Sequence, residues 1–211
     1  MLDTRPGQHD SPPGDLPALL KAAGEGDERA WRAIIDLYSR RVYALVKSRV
    51  GPGRHDVAEE VTQSVFVTVA TKLSAGGEGE AGAYVEQGRF ESWLFRIVMN
   101  RLRDEMRRRK RHAEPTDPGA LAHAAGLAAD GEGEPDAEMP EELHRLRSAV
   151  ALLSDADRQV VELRHHAGLS FKQISELLDE PLGTLLARHH RALKKLKELM
   201  TGPAAAPARP A

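Results

Sequence analysis

The stretch that decides the fold is Arg89–Arg111, which reads R-F-E-S-W-L-F-R-I-V-M-N-R-L-R-D-E-M-R-R-R-K-R. Its apolar residues recur every three or four positions, which predicts an amphipathic helix and excludes a strand. It contains nine Lys or Arg and three Asp or Glu, whereas the whole chain has a formal net charge of −2. Positive charge is therefore concentrated in one helix that begins with aromatic residues.

This pattern has two interpretations. Nucleic acid fits it, because bases stack on aromatic rings and arginines bind phosphates. A structural interpretation fits as well: Phe90, Trp93 and Leu94 are suited to a protein core, and Arg107–Arg111 to a solvated helix end, where cations are favourable.

Size and composition exclude several classes of protein. A length of 211 residues allows one or two domains, and the absence of cysteine excludes disulfides, thiol catalysis and Cys-ligated zinc. No run approaches the ~18–20 apolar residues of a membrane span, and residues 1–30 have no apolar signal-peptide region. We therefore expect a cytoplasmic protein without membrane insertion.

The remaining chain divides into two helical units. Residues 1–15 and 201–211 are predicted disordered tails, and helical apolar spacing predicts domains over 16–112 and 142–200. Residues 113–141 are predicted to be a flexible acidic linker, since 113–142 contains nine Asp or Glu and no Lys or Arg. The predicted fold class is all-α, with two small domains and a helix-turn-helix in the second.

An acidic turn opens the helix that precedes the basic one. Asp56 is predicted to be its N-cap, with Glu59 at the capping-box spacing. Glu60 and Gln63 lie on the same polar side. The acidic turn could simply complement the helix dipole, or it could be a docking face for a basic partner.

The second unit contains a predicted helix-turn-helix over 170–191. Ser170 caps a short helix with Gln173 in the reciprocal position, and a longer basic helix follows the turn. A recognition helix reads bases with its N-terminal part, so Thr184, Ala187, Arg188 and Arg191 are candidate contacts. An ordinary antiparallel helix pair is the alternative.

The sequence offers no metal centre and no catalytic group. His165-His166 and His189-His190 lack the spacing and the carboxylate of a zinc-hydrolase helix, so no metal or other cofactor is expected. A helical metallo-hydrolase is accordingly a poor alternative.

Three ordered motifs resemble one family. Asp56–Phe66 resembles D-x-A-E-D-x-x-Q-x-x-F, the segment with which bacterial sigma factors grip the clamp of RNA polymerase. Phe90–Asn100, with Asp104 and Arg107–Arg109, resembles their −10 segment F-x-x-W-L-x-x-I-x-x-N…D…R-R. Asp155–Leu163 and Gly168–Leu196 resemble their −35-binding domain. The closest resemblance is to the extracytoplasmic-function (ECF, group IV) class.

The resemblance implies a transcription initiation factor that is not an enzyme and needs no cofactor. Its implied partners are core RNA polymerase, promoter DNA and an anti-sigma protein. Implied polymerase contacts are Asp56, Glu59, Glu60 and Gln63. Implied −10 contacts are Tyr84, Phe90, Trp93, Phe95, Asn100, Arg103, Arg107 and Arg108; implied −35 contacts are Ser170, Lys172, Thr184, Ala187, Arg188, Arg191 and Lys195. A helix-turn-helix regulator that is not a sigma subunit is the competing function.

The length of the linker leads to an expectation about how the two domains are arranged in the free protein. Its roughly 30 residues span about 30 Å when flexible, whereas promoter elements two DNA turns apart are separated by about 70 Å. We therefore expect the two domains to collapse together in the free protein, with the acidic linker against a basic helix.

Overall fold

A computed structural model of the protein describes residues 15–75, 84–85, 87–113 and 140–201. All regular structure in these ranges is helical, which confirms the predicted all-α class. The first unit contains α1 (Leu16–Gly24), α2 (Glu28–Val50), α3 (His55–Ser74) and α4 (Phe90–Ala113). The second contains α5 (Glu141–Ala151), α6 (Asp155–His165), α7 (Phe171–Leu178) and α8 (Leu182–Thr201). The predicted tails and most of the predicted linker lie outside the described residues.

The core of the first unit follows from the spacing of its apolar residues. Asp27 caps α2 by accepting hydrogen bonds from the backbone N–H groups of Arg29 and Ala30. Buried residues then recur every three or four positions in each helix, as amphipathic packing requires. The fully buried members include Ile34, Tyr38, Val42, Leu45 and Val46 of α2, Ala58, Val65 and Val69 of α3, and Phe90, Leu94, Phe95 and Val98 of α4.

The predicted N-cap of α3 is wrong. The helix begins at His55, two residues before the start that an Asp56 cap implies, and Arg54 is its N-cap residue without a side-chain bond. Asp56 therefore has helical backbone geometry, whereas a capping residue needs an extended conformation. Its carboxylate instead lies in the first turn, where negative charge complements the helix dipole.

The helix-turn-helix of the second unit is formed by α7 and α8. Both hydrogen bonds of the predicted capping box between Ser170 and Gln173 are present. Asp179 ends α7 in the left-handed conformation, with φ of 56°. Leu185, Ala192 and Leu196 of α8 are buried, because their spacing places them on one side of the helix.

The two units pack against each other, as expected for the free chain. α4 contacts α7, and α2 contacts α6. Leu163, Leu169 and Ile174 of the second unit belong to the same buried cluster as the core of the first. Within the ranges that the structure describes, no helix is both long and apolar enough to cross a membrane.

Candidate functional site

One face of α3 carries exposed polar side chains. Asp56, Glu59, Glu60 and Gln63 are all exposed, and their spacing of three or four places them on the same side of the helix. Val67 continues this row four residues after Gln63, with 66% of its surface exposed. Sequence reasoning omitted Val67, although its i+4 position relative to Gln63 would have identified it.

A second row runs along α4. Trp93, Asn100, Arg103 and Arg107 lie on one face, and Asn100 accepts a hydrogen bond of 2.7 Å from Arg103. Arg96 belongs to the same row, although the motif resemblance does not single it out. The row combines one half-buried aromatic ring with cations, which suits a single nucleic-acid strand.

Arg108 lies beside this row and is held by carboxylates. Its guanidinium lies 2.9 Å from Glu105 and 3.8 Å from Glu60, which links the basic helix to the acidic face of α3. Arg109 holds the other oxygen of Glu105 at 2.8 Å. Burial acts to raise the pKa of Glu105, but the bonds from Arg108 and Arg109 outweigh it and lower that pKa.

The aromatic residues at the start of α4 divide into core and surface. Phe90 and Phe95 are 1% and 0% exposed, so their predicted contact with bases is not supported. Phe90 packs edge-on against Tyr38 at 5.4 Å, because its position on α4 faces α2. Tyr84 and Trp93 are half-buried, with ring centroids 4.5 Å apart. These two rings are therefore the accessible aromatic pair.

A pocket of about 230 Å³ opens beside this pair. Its walls combine two aromatic rings, two guanidinium groups and neutral polar groups from the first unit with one carboxylate from the second. The lining residues are Tyr84, Val85, Gln87, Arg89, Ser92, Trp93, Arg96 and Glu176. Stacking, hydrogen-bonding and phosphate-binding groups thus meet in one cavity.

The helix-turn-helix presents a third surface. Thr184, Ala187 and Arg191 are exposed on one side of the first turns of α8, and Ser170 and Lys172 are exposed where α7 begins. Three of the basic predicted contacts have protein partners, and the guanidinium of Arg191 lies 3.6 Å from the carboxylate of Asp157. The carboxylate of Glu180 lies 2.6 Å from Arg188, and Lys195 donates a hydrogen bond of 2.7 Å to the carbonyl of Leu152.

One histidine from each pair contacts the other within the second unit. His165 Nε2 and His189 Nε2 lie 3.2 Å apart, and Phe171 packs edge-on against His189 at 5.1 Å. Burial lowers the pKa of both rings, and the nearby Arg164 lowers it further. Among the described residues, no three side chains of the metal-binding types gather.

Comparison with known families accounts for both units. The family described as sigma-70 region 2 matches residues 34–112, and the family described as sigma-70, region 4 matches residues 149–198. These two matches cover the α4 row and the helix-turn-helix respectively. The chain is therefore a region 2 and region 4 protein of the sigma-70 type.

Curated relatives narrow the class. The ECF RNA polymerase sigma factor SigW of Bacillus subtilis is 28% identical over 184 residues, which is 85% of this chain and 93% of SigW. The ECF RNA polymerase sigma factor SigE of Mycolicibacterium smegmatis is 29% identical over 191 residues, which is 83% of this chain and 64% of SigE. The chain belongs to the ECF sigma factors and is an alternative sigma factor that directs transcription initiation.

Solved structures show the same fold. CnrH, in complex with the cytosolic domain of CnrY, aligns with a TM-score of 0.58 at 22% identity over 87% of this chain and 95% of CnrH. RpoE of Bartonella quintana, in complex with the anti-sigma factor NepR, aligns with a TM-score of 0.55 at 21% identity over 82% of this chain and 97% of RpoE. Sigma factors are regulatory DNA-binding subunits and not catalysts.

Proposed function

We propose that each of the three surfaces binds a different partner during transcription initiation. The α3 face binds core RNA polymerase, the α4 row and its pocket bind the melted −10 strand, and the α7–α8 unit binds the −35 element. The observation that carries this proposal is that exposed polar side chains follow one face of α3 and one face of α4, whereas Val61 and Val65 of α3 and Leu94 and Val98 of α4 are buried.

The polymerase-binding surface consists of Asp56, Glu59, Glu60 and Gln63, and we add Val67. Its centre is acidic and its far end is apolar, so it fits a partner helix that carries both cations and an apolar residue. A helix-turn-helix regulator without polymerase contact leaves this face, and the region 2 match over residues 34–112, unexplained.

The −10 surface consists of Tyr84, Trp93, Asn100, Arg103, Arg107 and Arg108. An unpaired base stacks on the Tyr84–Trp93 pair, and the arginines along α4 bind the phosphates on either side of it. Phe90 acts by supporting these rings from within the core, with centroid distances of 5.5 Å to Tyr84 and 5.6 Å to Trp93, and Phe95 is a core residue that does not reach the surface.

The −35 surface consists of Ser170, Lys172, Thr184, Ala187, Arg188, Arg191 and Lys195. Thr184, Ala187 and Arg191 lie where a recognition helix reads base edges, and Lys172 lies where α7 meets the phosphate backbone. We assign Arg188 and Lys195 to phosphates, and each must exchange its present protein partner for DNA.

The predicted domain limits, 16–112 and 142–200, are retained as part of this proposal, with the second beginning one residue earlier at α5. A cytoplasmic location follows from the partnership with bacterial RNA polymerase. An anti-sigma partner remains a prediction.

Co-elution with bacterial core RNA polymerase tests the polymerase-binding surface. We expect the unchanged protein to co-elute on gel filtration, and the triple variant Asp56→Ala, Glu59→Ala, Glu60→Ala to elute separately. The matched control is Glu25→Ala, Glu28→Ala, Asp36→Ala, which removes three exposed acids from α2 and its N-terminal flank. Equal co-elution of both triple variants would contradict the assignment.

A further inference from the structure

The two units are joined by polar contacts at the −10 surface itself. Ser92 Oγ lies 3.3 Å from a carboxylate oxygen of Glu176, and Arg96 donates a hydrogen bond of 2.8 Å to the backbone carbonyl of Glu176. Gln173 donates one of 2.5 Å to Glu91. The helix α7, which belongs to the −35 unit, thus lies across the N-terminal part of α4.

These contacts place a negative charge at the proposed nucleotide pocket. Glu176 is the one pocket-lining residue from the second unit, and it faces Ser92 and Arg96. Nucleic-acid phosphates carry the same charge as this carboxylate, and the Arg96 guanidinium that would bind a phosphate already donates to the backbone carbonyl of Glu176. A phosphate at Arg96 would also meet the carboxylate at short range, where like charges repel.

Two further contacts hold the units together away from the pocket. Arg41 of α2 donates a hydrogen bond of 2.7 Å to the carbonyl of Ala167 and also binds Glu91 at 2.5 Å. Arg49 of α2 pairs with the buried carboxylate of Glu162. The interface therefore combines these charged contacts with the buried apolar side chains of Leu163, Leu169 and Ile174.

The packed arrangement cannot occupy both promoter elements. Sites two DNA turns apart are separated by about 70 Å, at about 34–36 Å per turn. In the structure, α4 and α7 are in direct contact through Ser92 and Glu176. Both proposed DNA surfaces can therefore function together only after the units separate.

We propose that the packed arrangement is a closed, autoinhibited state in which Glu176 of α7 blocks the nucleotide pocket beside Trp93, and that separation of the units on polymerase unblocks it. This inference rests on the proposed function, because it assumes that the pocket receives a base of the −10 strand. Gln173 and Glu176 are positioning residues of the closed state, and they make no contact with DNA.

A reversible cross-link tests the closed state. The chain has no cysteine, so Ser92→Cys with Glu176→Cys provides a unique pair for a short bis-methanethiosulfonate reagent, which joins each thiol through a disulfide and releases methanesulfinate. We expect the cross-linked protein to form open promoter complexes with core polymerase at least tenfold less than the same protein after reduction. Equal open-complex formation in both forms would overturn the proposal.

A control pair separates this inference from the proposed function. Ser92→Cys with Glu198→Cys uses the last turns of α8, which packs on α5, α6 and α7. We expect rapid cross-linking of the 92–176 pair and little of the 92–198 pair. If the reduced protein makes no open complex, the proposed function is wrong. The cross-linking rates of the two pairs still test the closed state in that case, and equal rates would overturn the closed state.

A substitution that removes the Glu176 carboxylate provides a second test of the closed state. Glu176→Ala should bind a single-stranded −10 oligonucleotide several-fold more tightly than the unchanged protein, without polymerase. Glu198→Ala removes the same charge from the same unit at an exposed position and serves as the control. An identical gain for both variants would assign the effect to net charge and overturn the block by Glu176.

Discussion

Arg41 and Glu91 lie on different helices of the first unit, and their 2.5 Å ion pair is completed by the second unit. The Nε–H of the same arginine reaches the carbonyl of Ala167, 126 positions along the chain, at 2.7 Å. Its guanidinium also lies 5.4 Å from the ring centroids of Tyr38 and Phe95. One cation thus joins the core of the first unit to the turn before the helix-turn-helix.

Arg41→Ala should lower the free energy of unfolding by about 1.5–3 kcal/mol, the usual contribution of a hydrogen bond to a charged group. The side chains of Arg41 and Glu91 are 26% and 12% exposed, so solvent screens their pair only weakly. Urea denaturation followed by circular dichroism measures the loss. Arg40→Ala, which removes an exposed arginine from the same helix, is the control and should change little.

Stability of the second unit should decline below about pH 6.5. Burial and Arg164 lower the pKa of His165 in the folded protein, and burial with His165 lowers that of His189. The unfolded chain therefore binds more protons, so the stabilising effect is complete above the unfolded pKa of about 6.5 and is lost as the pH falls through it.

The double variant His165→Gln, His189→Gln should reduce this dependence in melting temperatures measured between pH 7.5 and 5. His190→Gln is the control, because its exposed ring lies on the same helix outside the 3.2 Å pair. If His190→Gln reduced the pH dependence of the melting temperature as much as the double variant does, the assignment to His165 and His189 would be wrong.

Asp27→Ala should destabilise the first unit by about 1 kcal/mol. The Asp27 carboxylate accepts hydrogen bonds of 2.8 and 3.1 Å from two backbone N–H groups that the helix itself cannot satisfy. Asp15 precedes α1 without such a bond, so Asp15→Ala is the matched substitution. Chemical denaturation should show a shift for Asp27→Ala only; similar shifts would mean that the cap contributes nothing.

Truncation of two adjacent leucines in the recognition helix should change the free energy of unfolding by very different amounts. Leu185 is 0% exposed and Leu186 is 45% exposed. Leu185→Ala should cost about 2–5 kcal/mol, because it leaves a cavity in the core. Leu186→Ala should stay within about 0.5 kcal/mol. Thermal unfolding of both variants tests this, and a comparable loss for Leu186→Ala would show that α8 packs differently.

Local spacing and capping made the helices predictable from sequence. The capping residues Asp27 and Ser170 have short oxygen-bearing side chains at the right distance from an apolar run, and that information is contained within a few residues. The exposure of Asp56, Glu59, Glu60 and Gln63 was predictable for the same reason, since a polar face follows from helical spacing. The start of α3 was misplaced because its N-cap residue, Arg54, makes no side-chain capping bond, so no capping residue marks the start in the sequence.

Helical spacing alone does not show which aromatic residues of α4 are accessible, and tertiary packing determines this. Phe90, Trp93 and Phe95 are similar aromatic residues on one helix, but only the packing of α2 against α4 determines that Trp93 alone among them is accessible. The sequence by itself determined two helical units, their basic helices and the exposed polar faces, because these depend on periodicity. Only the tertiary structure placed Glu176 against Ser92, since that contact joins residues 84 positions apart and leaves no local signal in either helix.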